Sequence, residues 1–99
     1  MREYLIRATD GSGWIPVKQD RVRAVLVSDR PGTSVVAGWG EVRFAYAGME
    51  FAISGEEVGW QIVVEGQIDA AMADAIIAQL TDQLRRESGQ DSSWSVITE

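Results

Sequence analysis

The chain predicts an α+β fold, a two-layer domain in which one long helix packs on one face of an antiparallel sheet of about five to six strands. Two observations predict it. Apolar residues alternate at a period of two through most of residues 2 to 65, and the period turns helical between Ile68 and Leu84. Turns rich in glycine and proline separate the alternating stretches, as in an antiparallel meander with one buried face.

The elements follow in order. "REYLIRA" sets Tyr4, Ile6 and Ala8 against Glu3, Leu5 and Arg7, and reads as the first strand. "GSGWIP" is a loop, because two glycines and Pro16 interrupt any ladder. "RVRAVLVS" is β-branched and alternates Val22, Ala24 and Leu26 against Arg21, Arg23 and Val25, so it reads as a second strand. "DRPGTS" is a turn around Pro31 and Gly32. "EVRFAYA" and "MEFAIS" make a hairpin about Ala47 and Gly48, with Val42, Phe44 and Tyr46 on one face and Met49, Phe51 and Ile53 on one face. "GEEVG" turns the chain again, and "WQIVVE" brings Trp60, Ile62 and Val64 into phase.

Beyond Gly66 the stripe Ile68, Met72, Ile76, Leu80 and Leu84, reinforced by Ala73 and Ile77, defines a helix over residues 69 to 88. Asp69 is its expected N-cap, and Ile68 can staple onto Ala73. Arg85 and Arg86 suit the negative end of the helix dipole, and Gly89 stops the helix. "QDSS" is a turn and "WSVIT" a short C-terminal strand. The helical stripe is expected on the Trp60, Ile62, Val64 face.

Composition narrows function mostly by exclusion. Ninety-nine residues make a single domain, residues 1–99. No apolar run approaches the ~20 residues that span a bilayer, and the start has no signal-peptide architecture, so a cytoplasmic protein is expected. Cysteine, histidine and asparagine are absent. That removes disulfides, thiol nucleophiles, Cys-based zinc sites and the commonest general base. Gly11-x-Gly13 does not make a dinucleotide loop, since Pro16 stands where the third glycine belongs. Ser12 and Lys18 fit no nucleophile–base spacing, and Glu56 and Glu57 diverge as neighbours in a turn. Glu65 and Asp69 flank the strand-to-helix turn, where solvation and capping explain them. Neither catalysis nor a cofactor is expected.

The stretch "YLIRATDGSG" resembles the opening of the redox-regulated heat-shock chaperones. That family depends on a cysteine zinc switch, which this chain lacks, and nothing downstream matches.

Two features remain. Three of the four tryptophans follow a glycine. Trp60 and Trp94 lie in phase with strand apolar residues and are expected in the core, whereas Trp14 and Trp39 sit in irregular segments as candidate surface anchors. The charge is also uneven. Residues 1 to 43 hold seven Lys/Arg against five Asp/Glu, and residues 44 to 99 hold two against ten, within a net −6. Arg7, Arg21, Arg23 and Arg43 are expected on the outer sheet face, but that net charge opposes phosphate binding. The expectation is a small acidic, non-catalytic protein-binding module, similar in size and charge to phage anti-defence and toxin-immunity proteins. It would cover a basic surface of a nucleic-acid-handling protein without itself touching nucleic acid or membrane. Glu50, Glu56, Glu57, Glu65, Asp69, Asp74 and Asp82 would form the surface, with Trp39 and Trp14 as anchors. The alternatives are an assembly subunit, a homodimer or larger homo-oligomer joined by a sheet edge or the helix, and a small-ligand binder using exposed tryptophans.

Overall fold

The computed structural model describes Met1 to Glu99. In chain order it contains β1 (Arg2–Ala8), a single 3-10 turn (Gln19–Arg21) running into the short helix α1 (Val22–Val25), and β2 (Ser34–Val35). Then follow β3 (Val42–Tyr46), β4 (Met49–Glu56), β5 (Gly59–Gly66), the long helix α2 (Ala70–Ser88) and β6 (Ser92–Thr98). The six strands form one antiparallel sheet in the order β2-β3-β4-β5-β1-β6, with α2 on one face. This is the α+β architecture that the change of period implies. No helix is long and apolar enough to cross a membrane.

Register explains the core. Tyr4 pairs with Ile62, Ile6 with Trp60, Phe51 with Val64 and Phe44 with Phe51, so the apolar sets of four strands share one face. The Phe44 and Phe51 rings stack at 4.7 Å. Slipping any strand by one residue would turn its whole apolar set to water, which fixes the register. Helix α2 buries Ala73, Ile76, Ile77, Leu80 and Leu84 against these residues. Asp69 accepts a hydrogen bond from the Met72 amide at 3.1 Å, and Gly89 in the left-handed region closes the C-terminus with its N–H on the Arg85 carbonyl.

One element differs from expectation. "RVRAVLVS" is no strand: it forms the end of the 3-10 turn and α1, and the sheet gains instead the two-residue β2, which begins at the last residue of the "DRPGTS" turn. The buried apolar residues are Val22, Val25 and Leu26, at the i, i+3, i+4 spacing of a helix, while Ala24 is exposed. Alternation read on Val22, Ala24 and Leu26 placed the wrong residue inside. The segment crosses the helical layer rather than the sheet, and α2 holds it there. Gln83 donates to the carbonyl of Val25 at 2.6 Å, and the Ser28 hydroxyl donates to Gln79 at 3.3 Å. Arg21 therefore leaves the outer sheet face and pairs with Glu87 on α2, through Nε at 3.2 Å and Nη2 at 3.0 Å. Arg23 belongs to α1, and only Arg7 and Arg43 remain on the outer sheet face.

At the β1 end a polar lock joins the two layers. The buried Tyr4 hydroxyl donates to Asp74 at 2.6 Å, and Arg2 reaches both the Tyr4 oxygen (2.7 Å) and Asp74 (3.1 Å). Burial, and then the bond to Asp74, push the Tyr4 phenol up from 10.0 to about 12. Because the folded value lies above the unfolded one, the neutral phenol stabilises the fold below pH 10.0, and that contribution is lost as pH rises towards about 12. Alkaline unfolding followed by circular dichroism should therefore steepen across this window. Tyr4→Phe should abolish the steepening together with one late phenol titration, and an unchanged alkaline limb would contradict the lock.

Candidate protein-binding site

The site begins with a buried indole. Trp60 opens β5 facing the core, 1% exposed, and its Nε1 donates to the carbonyl of Ile15 at 2.8 Å. A buried indole N–H without a partner is costly, so this bond ties the segment after β1 across the end of the sheet. Ile15, itself fully buried, enters the core there. Its neighbour Trp14 is consequently held against Trp60, with ring centroids 4.9 Å apart and planes 30° apart.

Trp14 remains 37% exposed, and Gly55 explains how it fits. Gly55 pairs with Trp60 across β4 and β5, and a Cβ at Gly55 would lie 2.7 Å from Trp14 Cη2. The missing side chain is the seat of the ring. The same point lies 3.2 Å from a Glu41 carboxylate oxygen, which brings Glu41 to this end of the sheet. Trp14, Gly55, Glu56 and Glu57 line a shallow depression, and Val58, 58% exposed, stands at the tip of the β4–β5 turn. Glu56 accepts from the Ser54 hydroxyl at 3.4 Å. None of Glu41, Glu56 and Glu57 has a basic side chain within ion-pair distance.

The other residues expected in one acidic surface are scattered and occupied. Glu50 and Glu65 lie side by side on the outer sheet face, where Arg43 serves both, at 2.9 Å and 4.0 Å. Asp74 belongs to the lock with Arg2 and Tyr4, Asp82 pairs with Arg85 at 3.1 Å, and Asp69 caps α2. The acids on α2 lie in the helical layer and Glu50 and Glu65 on the opposite side of the sheet, so no single flat partner touches them all. Trp39 is 52% exposed, with the Arg43 guanidinium 5.9 Å from its ring centre. It therefore borders Glu50 and Glu65, the two carboxylates that share Arg43. Trp94 is half-buried at the sheet margin, 5.8 Å from the Tyr4 ring.

The depression thus unites Trp14, Glu56 and Glu57, and adds Glu41 and Gly55, which sequence reading missed. Glu41 was hidden by dividing the charge at residue 43, since it lies on the basic side of that line while folding onto the acidic end. Gly55 was legible once "MEFAISGE" is laid antiparallel to "GWQIVVEG", because that register puts a glycine opposite Trp60. In the segment after β1, the Ser12 hydroxyl donates to Asp10 at 2.7 Å, and this bond and the Ser12 amide hold the Asp10 carboxyl below its usual range. No three carboxylates converge as a metal-ligand group. Compared with protein-family models, curated proteins and solved structures, the chain matches none.

Gly55→Ala should displace the Trp14 ring while leaving the sheet paired. Far-ultraviolet circular dichroism should lose the exciton couplet of the two stacked indoles, while amide hydrogen exchange in β4 and β5 stays as slow as in the unmodified chain. Retention of the coupled signal would mean that Trp14 is not seated on Gly55.

Proposed function

We propose that this chain is a non-catalytic protein-binding module of the inhibitor or immunity type, which covers a basic surface of a nucleic-acid-handling protein. Its contact is the acidic end of the sheet, where Trp14 is the anchor and Glu56, Glu57 and Glu41 supply the charge. The observation that carries this reading is the contrast in pairing. Seven of the chain's fifteen Asp and Glu side chains have an arginine within ion-pair distance, and of the eight that do not, three, Glu41, Glu56 and Glu57, gather around one exposed aromatic ring, Trp14. An aromatic face beside unpaired carboxylates suits an incoming arginine or lysine side chain, which stacks on the ring while its charge meets the acids. The net charge of −6 adds long-range attraction to a basic partner and repulsion from free nucleic acid.

The test starts with capture from the native host at low salt and identification of the bound protein by mass spectrometry. Kinetics are then measured by surface plasmon resonance. Association should slow as salt rises, since exposed charge reaches only ~8 Å at physiological ionic strength. Reversing Glu56 and Glu57 to lysine should lower the on-rate, and Trp14→Ala should raise the off-rate. The captured protein should also lose its hold on nucleic acid when the complex forms. A complex indifferent to salt and to the reversal overturns the reading, as does one in which the partner binds nucleic acid undisturbed.

A further inference from the structure

The sheet has two margins, and they are built differently. β2 is two residues long and follows the Pro31–Gly32 turn, so it offers little to pair with. β6 runs for seven residues, Ser92–Thr98, as "SSWSVIT", and its outer flank has no neighbour. It contains no charge and no proline, two of the devices that usually keep an edge strand from pairing further, and its ladder with β1 is regular from Ser92 to Val96, shifting register only beyond, at Ile97.

Which backbone groups are free follows from the ladder. Thr9 donates its N–H to the Asp91 carbonyl at 3.1 Å, whereas Ala8 donates away from β6, to the Gly13 carbonyl at 3.0 Å. Hydrogen-bonded and non-hydrogen-bonded pairs alternate along an antiparallel ladder. The partners Ala8–Ser92, Ile6–Trp94 and Tyr4–Val96 are then the non-hydrogen-bonded ones. The N–H and C=O groups of Ser92, Trp94 and Val96 consequently point out of the margin. On the helix side Trp94 and Val96 are only half-buried against the core, and on the other side Ile97 is 49% exposed.

We propose that β6 pairs antiparallel with β6 of a second copy of this chain, about a two-fold axis at Ser95, making one continuous sheet. Charge selects this occupant. Two chains of net charge −6 repel each other except where they meet on neutral surface. β6 has no ionisable side chain, and the acids beyond its two ends each lie beside an arginine that a second carboxylate shares, Arg85 with Asp82 and Arg2 with Asp74. Asp91 has Arg85 at 3.9 Å, and Glu99 has Arg2 at 3.0 Å. Centred on Ser95, the pairing joins outward-pointing backbone groups to their counterparts and sets Trp94 of one copy opposite Val96 of the other. The half-buried residues of both copies then cover each other, and the symmetry closes the assembly at two chains. This inference is independent of the acidic end of the sheet.

The chain has no cysteine, so single-cysteine variants report the register cleanly. Across the axis, Ser95 would meet its own copy as a non-hydrogen-bonded pair with Cα atoms ~4.5 Å apart, within disulfide reach. Ser93 would be four residues from its own copy along the strand, roughly 13 Å, which is out of reach. Under mild oxidation at low protein concentration, Ser95→Cys should form a disulfide dimer at least ~10-fold faster than Ser93→Cys. Sedimentation of the unmodified chain should show a concentration-dependent monomer–dimer equilibrium. Val96→Pro deletes an outward N–H that the monomer does not use, and should weaken the dimer by ~10-fold or more, the scale of one or two lost hydrogen bonds. A chain that stays monomeric, equal cross-linking of the two cysteine variants, or a folded Val96→Pro that dimerises unchanged would each overturn the proposal. Should Val96→Pro fail to fold, the cysteine pair decides alone.

Discussion

The hydrogen bond from the Trp60 indole to the Ile15 carbonyl is the contact on which both the core and the candidate site depend. An indole is the largest side chain the core contains, and burying it is favourable only if its N–H finds an acceptor. No residue of the sheet supplies that acceptor. It comes from an irregular segment, so the demand of one buried polar atom draws residues 14 and 15 over the end of the sheet. Ile15 then fills the core, and Trp14, next in the chain, must lie against Trp60. The half-exposed ring beside Glu56 and Glu57 is thus a by-product of satisfying the buried one.

The two charged regions differ for a related reason. Where a carboxylate lies within reach of an arginine on a neighbouring element, the structure uses it. Arg43 sits between Glu50 and Glu65, Arg2 between Asp74 and Glu99, and Arg21 against Glu87. Such exposed or half-exposed pairs stabilise only modestly. They do lower the local charge, so a strongly acidic composition does not become a uniformly acidic surface. At the β4–β5 turn no arginine is placed to do this, and the composition reaches the surface undiluted. The neutral strip of β6 is the opposite extreme.

Much of this was legible in the sequence, and the limits are physical. α2 was readable down to its cap and its stop, because a stripe of five aliphatic residues, an aspartate and a glycine all agree. The β3–β4 hairpin was readable because Ala47 and Gly48 sit between two alternating runs in one register. The α1 segment was not, since Val, Arg and Ala in eight residues satisfy both a period of two and a period of 3.6, and only contact with Gln79 and Gln83 decides between them. The candidate site was half legible. The exposed Trp14 and the Glu56–Glu57 turn stood out, whereas the contributions of Glu41 and Gly55 exist only once strand pairing brings distant residues together.

The indole N–H of Trp60 can be observed directly. In a nitrogen-resolved NMR spectrum the four tryptophans give four side-chain N–H signals, and Trp60→Phe identifies the one that matters. If Trp60 is bonded to Ile15 in the core, its indole proton exchanges with solvent as slowly as the central amides of β5. The half-exposed Trp39 proton then exchanges far faster. A Trp60 indole proton that exchanges as fast as that of Trp39 would mean the bond is not made, and the account of how Trp14 reaches the acidic end would fail with it.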